Sequence, residues 1–164
     1  MMGNGGMGDG NSGYTDAPLT CTAPASPPGN TVTVTLADMG MSQMMGGTAP
    51  MGAVMRLTAT PATIPSGQIT LVAHNVGWRP HELVVLPLAS GDVAGRRVPG
   101  ADGKVDETGS LGEASNSCAA GQGEGITSGS VGWVSLTLAP GRYELVCNLT
   151  NHYADHMYQE LVVT

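Results

Sequence analysis

Phenylalanine is absent from the 164 residues, and only two Trp and four Tyr stand in for it. A packed interior must therefore be filled by Val, Leu, Met and the two Trp. Basic residues are also scarce, with six Lys and Arg against thirteen Asp and Glu and a net charge of −7. That argues against nucleic acid as a partner, because phosphate binding needs a basic footprint. The acidic balance suits general solubility, or the steering of a cationic partner such as a basic cytochrome. No apolar run is long enough to span a bilayer. Met1 to Gly10 is Gly-rich and lacks the hydrophobic stretch of a signal peptide, so the expectation is a chain that starts after a removed signal or anchor. Long stretches with helical periodicity are missing too, while Thr, Val and turn residues abound. The predicted fold class is all-β, a Greek-key sandwich of one domain.

With three cysteines there is little room for thiolate-rich metal sites. Cys147 has no cysteine nearby, which argues against structural zinc and against an iron–sulfur cluster. Cys21 and Cys118 lie in Ser-, Ala-, Pro- and Gly-rich surroundings that read as loops. Two leftover cysteines predict a disulfide tying the N-terminal segment to a long central loop, and with it an oxidising compartment. The alternative is two unrelated thiols.

Residues 1–30 are rich in Gly, Met and Pro and read as a flexible tail, with the domain proper over 31–164. Seven strands are predicted, at 31–37, 53–59, 68–74, 81–86, 130–138, 142–147 and 157–163. Thr60 to Gly67 is a connector whose prolines forbid a central strand. His81 to Leu86 is nearly all apolar, as a buried strand would be. Pro87 to Gly129 is a long loop, with short helical turns at Val93 to Val98 and near Leu111 to Ala114. Met39, Met41, Met44, Met45, Met51 and Met55 cluster between the first two strands. They read either as adaptable packing or as a Cu(I)-binding patch.

The chemistry concentrates in Tyr143 to Thr164. Cys147, His152 and Met157 are separated by four residues each, on a loop joining two strands. Thiolate plus imidazole with a weak thioether is a copper ligand set that needs a second imidazole. His81, at a strand end after Asn75 to Pro80, supplies it. The predicted ligands are His81, Cys147, His152 and axial Met157, with His156 as an alternative to Met157. His74 reads as a structural histidine, and the glycosylation sequon at Asn148-Leu149-Thr150 as chance.

Cys147-x4-His152-x4-Met157, together with N-x-G-x-x-P-H at Asn75 to His81, resembles the cupredoxins, the small blue copper proteins. It is most similar to their sulfocyanin and rusticyanin group. The resemblance runs with gaps from about Thr31 to Thr164. It implies a β-sandwich, one type 1 copper per chain, and electron transfer outside the cytoplasm. In that family Pro-Gly commonly precedes the second His and Gly the Met. Here those positions hold Thr150-Asn151 and His156. Glu82 stands where relatives often have an Asn that ties the two ligand loops together.

The expectation is a non-enzymatic electron carrier with His152 as exit point. It would be a periplasmic, secreted or membrane-tethered monomer serving a redox partner such as a cytochrome or terminal oxidase. The alternative is a copper chaperone or storage module using the Met-rich segments. A copper enzyme would need more histidines than the four present.

Overall fold

The structure, a computed structural model, describes residues 17–38 and 55–164. The strands are β1 (Asn30–Asp38), β2 (Met55–Thr60), β3 (Thr63–Ile64), β4 (Gly67–Asn75), β5 (Leu83–Leu88), β6 (Gly112–Ala114), β7 (Val131–Leu138), β8 (Gly141–Val146) and β9 (Tyr158–Val163). They form two sheets, ordered β2-β1-β4-β7 and β3-β9-β8-β5-β6. Each sheet is mixed, with β1 parallel to β4 and β3 parallel to β9. The all-β sandwich expected from composition is therefore what the chain forms.

Alternation builds the interior. Val32, Val34 and Leu36 of β1, Ile69 and Leu71 of β4, Leu83 and Val85 of β5, and Leu145 of β8 are completely buried in one cluster. Cys147 and Met157 belong to the same cluster, so the loop between β8 and β9 grows directly out of the core. Anchoring on a close-packed interior limits how far those side chains can shift.

The remaining residues of β5 explain its unbroken apolar run. Val84 and Leu86 face a second cluster with Val105, Val146 and Tyr153. The long segment after β5 thus covers the outer face of its sheet. Glu144 on β8 is fully buried there. It accepts bonds from Arg97 Nε at 2.5 Å, Gly95 N–H at 2.7 Å and Tyr153 O–H at 2.7 Å. Arg97→Ala removes the cationic partner but leaves two donors, and Arg97 is itself 26 % exposed. Chemical denaturation should show a loss of about 2 kcal/mol, less than for a fully dry pair. The better-solvated Arg142–Glu160 pair at 2.8 Å should be nearly silent in the same assay. Equal losses from the two variants would contradict the burial argument.

Several predicted boundaries need correction. Thr63–Ile64 is a strand, but an edge strand flanked by Pro61 and Pro65, where no inner ladder is interrupted. The stretch near Leu111 to Ala114 is not a helical turn, since Gly112–Ala114 pairs with β5. Val93 to Val98 likewise forms no helix. The fourth predicted strand begins at Leu83 rather than His81, and His81 makes only an isolated bridge to Ile126. The predicted disulfide between Cys21 and Cys118 is present. Residues 17–21 are held at more than that one point, by Ala17 N–H to Val76 O at 2.7 Å and Thr20 N–H to Gly129 O at 2.6 Å. The Gly- and Met-rich residues 1–16, and Met39 to Met51, lie outside the described residues.

Candidate metal centre

β1 and β4 run parallel in register, with Leu36 opposite Asn75, so their C-terminal ends emerge together. The N-x-G-x-x-P-H motif starts at that end, and each of its polar parts has a task. Asn75 is fully buried. Its Nδ2 donates to Arg79 O and Ile126 O, both at 2.8 Å, and its Oδ1 accepts from Gly77 N–H at 2.9 Å. Those bonds fold the turn that delivers His81. A Cβ on Gly77 would lie 2.5 Å from Asp38 Oδ2, so glycine is needed for close approach rather than for backbone freedom.

Asp38 ends β1 and points into this turn. Its carboxylate accepts from Trp78 N–H at 3.0 Å, Arg79 N–H at 2.9 Å and His81 Nε2 at 3.0 Å. Burial works to raise its pKa, yet the His81 bond and the two backbone N–H groups hold it below the usual carboxylate range. An ionised carboxylate only accepts, so His81 Nε2 is the donor in this contact and Nδ1 is the ring nitrogen turned the other way.

That Nδ1 faces the ligand loop. It lies 3.3 Å from His152 Nδ1 and 3.8 Å from Cys147 Sγ, and Sγ lies 3.3 Å from His152 Nδ1. A triangle with these sides has its centre about 2.0 Å from each corner, close to the ~2.0–2.1 Å of a metal–imidazole bond. Among the described residues, His81, Cys147 and His152 form the one group of three His, Cys, Asp or Glu side chains that converge closely enough to hold an ion. His81 is entirely buried and His152 keeps 9 % of its surface exposed. Burial, followed by the neighbouring His81 and Arg79, lowers the His152 pKa to about 4, so its imidazole is neutral at pH 7. Burial raises the Cys147 thiol to about 12 without a metal, despite N–H bonds from Glu82 and Leu149. A bound cation must therefore displace that proton. A soft thiolate with two imidazoles in a largely buried pocket fits copper.

Met157 is completely buried beside them. Its N–H donates to His152 O at 3.2 Å and its carbonyl accepts from Cys147 N–H at 3.0 Å, which closes the loop. His156 is exposed, and its ring lies 6.2 Å from that of Tyr158. His74 sits half-buried in β4, outside the converging group, with its pKa lowered by burial. Asn151 and His156 have φ of 68° and 74°, left-handed values at the two positions where the resemblance puts glycine. Asn tolerates that region well and His less so. Glu82 also keeps a tie between the loops. Its N–H donates to Cys147 Sγ at 3.3 Å, and its side chain takes a bond from the Asn148 backbone. Burial, then Glu113 and Glu107, raises its pKa to about 7. Asn148 is buried with Nδ2 engaged by Val105 O and Glu107 Oε1, at 3.0 and 2.7 Å, so the sequon is not presented for modification.

Sequence reasoning named the converging three and missed Asp38, Asn75 and Gly77 as their supports. The N-x-G spacing before His81 was the available signal for the latter two. Nothing near Asp38 in sequence pointed to a histidine 43 residues away.

No family model matches the chain, and no curated protein matches it. Solved structures of similar shape include auracyanin B, 18% identical over 92% of this chain and 99% of that chain, with a TM-score of 0.49. Auracyanin A is described as a "blue" copper protein from the green thermophilic photosynthetic bacterium Chloroflexus aurantiacus. It is 16% identical over 82% of this chain and 100% of that chain, with a TM-score of 0.48. Rusticyanin from Thiobacillus ferrooxidans is 18% identical over 92% of this chain and 88% of that chain, with a TM-score of 0.45.

Proposed function

We propose that this protein is a mononuclear blue copper electron carrier. The observation that carries the reading is the triangle of His81 Nδ1, His152 Nδ1 and Cys147 Sγ, delivered by two separate loops into the end of a close-packed core. Those three residues would hold one copper, with the buried Met157 thioether as a weak further donor. Bound copper would supply the Cu(II)/Cu(I) couple. The chain's part is to keep the donors in place. Asn75 folds the turn that presents His81, Glu82 N–H and Leu149 N–H hold the Cys147 sulfur, and the core blocks rearrangement. A donor set that cannot relax suits rapid electron exchange, because little reorganisation accompanies the change of charge.

His152 is the reading's exit point, since it alone of the two ligand imidazoles reaches solvent. The partner would be another redox protein, such as a cytochrome or terminal oxidase, meeting this end in a small transient interface. The Cys21–Cys118 disulfide supports a location outside the cytoplasm.

The test is visible absorption and electron paramagnetic resonance of the Cu(II)-loaded protein, with a metal count on the same sample. An intense red thiolate-to-copper band, narrow hyperfine splitting and one copper per chain are expected. An ordinary tetragonal spectrum would sink the reading. More than one tightly held copper would favour the copper-handling alternative.

A further inference from the structure

We propose that Asp38 is the positioning residue of this centre: its buried carboxylate fixes His81 as the Nε2–H form and places a negative charge one imidazole away from the metal, favouring Cu(II) over Cu(I). The proposal rests on the copper reading above for its second half only.

Three observations carry it. First, the contact is built rather than incidental. Asp38 is 6 % exposed and His81 is not exposed at all, and Nε2 lies 3.0 Å from Oδ2. The opposite ring nitrogen is the one that meets Cys147 and His152. One imidazole is thus held on its outer edge by a carboxylate that accepts when ionised, which leaves the inner edge turned to where a cation would bind.

Second, the surroundings keep the carboxylate where it is. Trp78 N–H and Arg79 N–H approach it at 3.0 and 2.9 Å, from the same turn that carries His81. Gly77 leaves the space Oδ2 occupies. Asp38 is also opposite Met55 in the β1–β2 ladder, so its backbone is fixed by strand pairing. All three donors lie within 3.0 Å of one oxygen, Oδ2, with Trp78 N–H shared with Oδ1 at 3.1 Å, so Asp38→Asn can keep an acceptor there while removing the charge.

Third, charge on a histidine's outer partner changes the metal it binds. A carboxylate makes the imidazole a stronger donor, and the stronger donor favours the more highly charged ion. The charge acts through a buried path, so solvent and salt screen it little.

The experiment compares wild type with Asp38→Asn and Asp38→Ala in two measurements. In the metal-free protein, nitrogen chemical shifts report the His81 tautomer. Wild type is expected to be Nε2–H, and Asp38→Ala should release the ring into a mixture. A wild-type His81 carrying its proton on Nδ1 overturns the proposal, and this arm needs no metal. In the loaded protein, competition titrations give separate affinities for Cu(II) and Cu(I). Asp38→Asn should weaken Cu(II) by about 10–100-fold and Cu(I) by less, so the reduction potential rises. Unchanged affinities, or equal losses for both ions, overturn the role of charge. Failure of the copper reading itself would appear differently, as the absence of a type 1 spectrum in wild type with the His81 tautomer still fixed.

Discussion

Replacing Cys147 by serine is expected to abolish the intense red absorption of the copper-loaded protein and to widen its copper hyperfine splitting to ordinary values. The band arises from the thiolate, and no other described side chain can replace it. Cys21 and Cys118 are consumed by their disulfide, and the remaining converging donors are imidazoles. A serine hydroxyl keeps an acceptor for Glu82 N–H, now 3.3 Å from sulfur, so the fold should survive. The apo variant should lose no more than about 1–3 kcal/mol for a hydroxyl in a largely apolar site. Cys147→Ala serves as the control, since it removes the donor without adding a polar atom. Absorption and paramagnetic resonance on all three proteins decide the matter. A serine variant that stays blue would mean the colour comes from a different site and would remove Cys147 from the ligand set.

The second large effect concerns stability. Cys21 and Cys118 are separated by 97 residues, so their bond closes a loop that contains most of the sandwich. On the chain-entropy account a loop of that size contributes about 4–5 kcal/mol, and removal of native disulfides typically costs about 2–5 kcal/mol. The double variant Cys21→Ser, Cys118→Ser should therefore unfold roughly 5–15 °C lower. The lower end of that range applies if the neighbouring bonds keep the segment docked. Ala17 donates to Val76 and Thr20 to Gly129, while Cys118 N–H donates to Val131 O at 2.7 Å. The loss should not stay local. The segment that carries Cys118 continues to Ile126, whose backbone brackets His81 through bonds of 3.1 and 2.7 Å. Exchange of the His81 and Ile126 amides should accelerate along with those of residues 17–21. Thermal unfolding and hydrogen exchange test both parts. An unfolding midpoint unchanged within about 2 °C would show that the unlinked chain is already restrained.

The readings that held were those encoded by neighbours in sequence. Alternating Thr and Val in residues 31–36, and the turn residues between runs, made the sandwich legible because side-chain period decides which face of a strand is buried. Cys147 and His152 are five residues apart on one loop, so their meeting needed only a local turn. His81 was legible from its place after a turn motif at the start of an apolar run. The disulfide followed from counting, once Cys147 was assigned elsewhere.

What needed the third dimension was every contact whose partners lie in different sheets or distant loops. Asp38 closes an ordinary strand, and only the parallel register of β1 on β4 carries it to the turn before His81. Glu144 meets Gly95, Arg97 and Tyr153 only because the segments after β5 and β8 fold over its sheet. The continuous apolar run of β5 signalled burial on both faces, but not that the cover on one side was a loop rather than a second layer of structure. Asn151 and His156 stand where the resemblance puts glycine, and only the structure shows that both take a left-handed φ there. Local pattern therefore named the three converging side chains and the class of fold, because each was signalled by the residues next to it in the chain. The charge and the hydrogen bonds around those side chains came only with the packing, because pairing between distant strands leaves no periodic trace in either one.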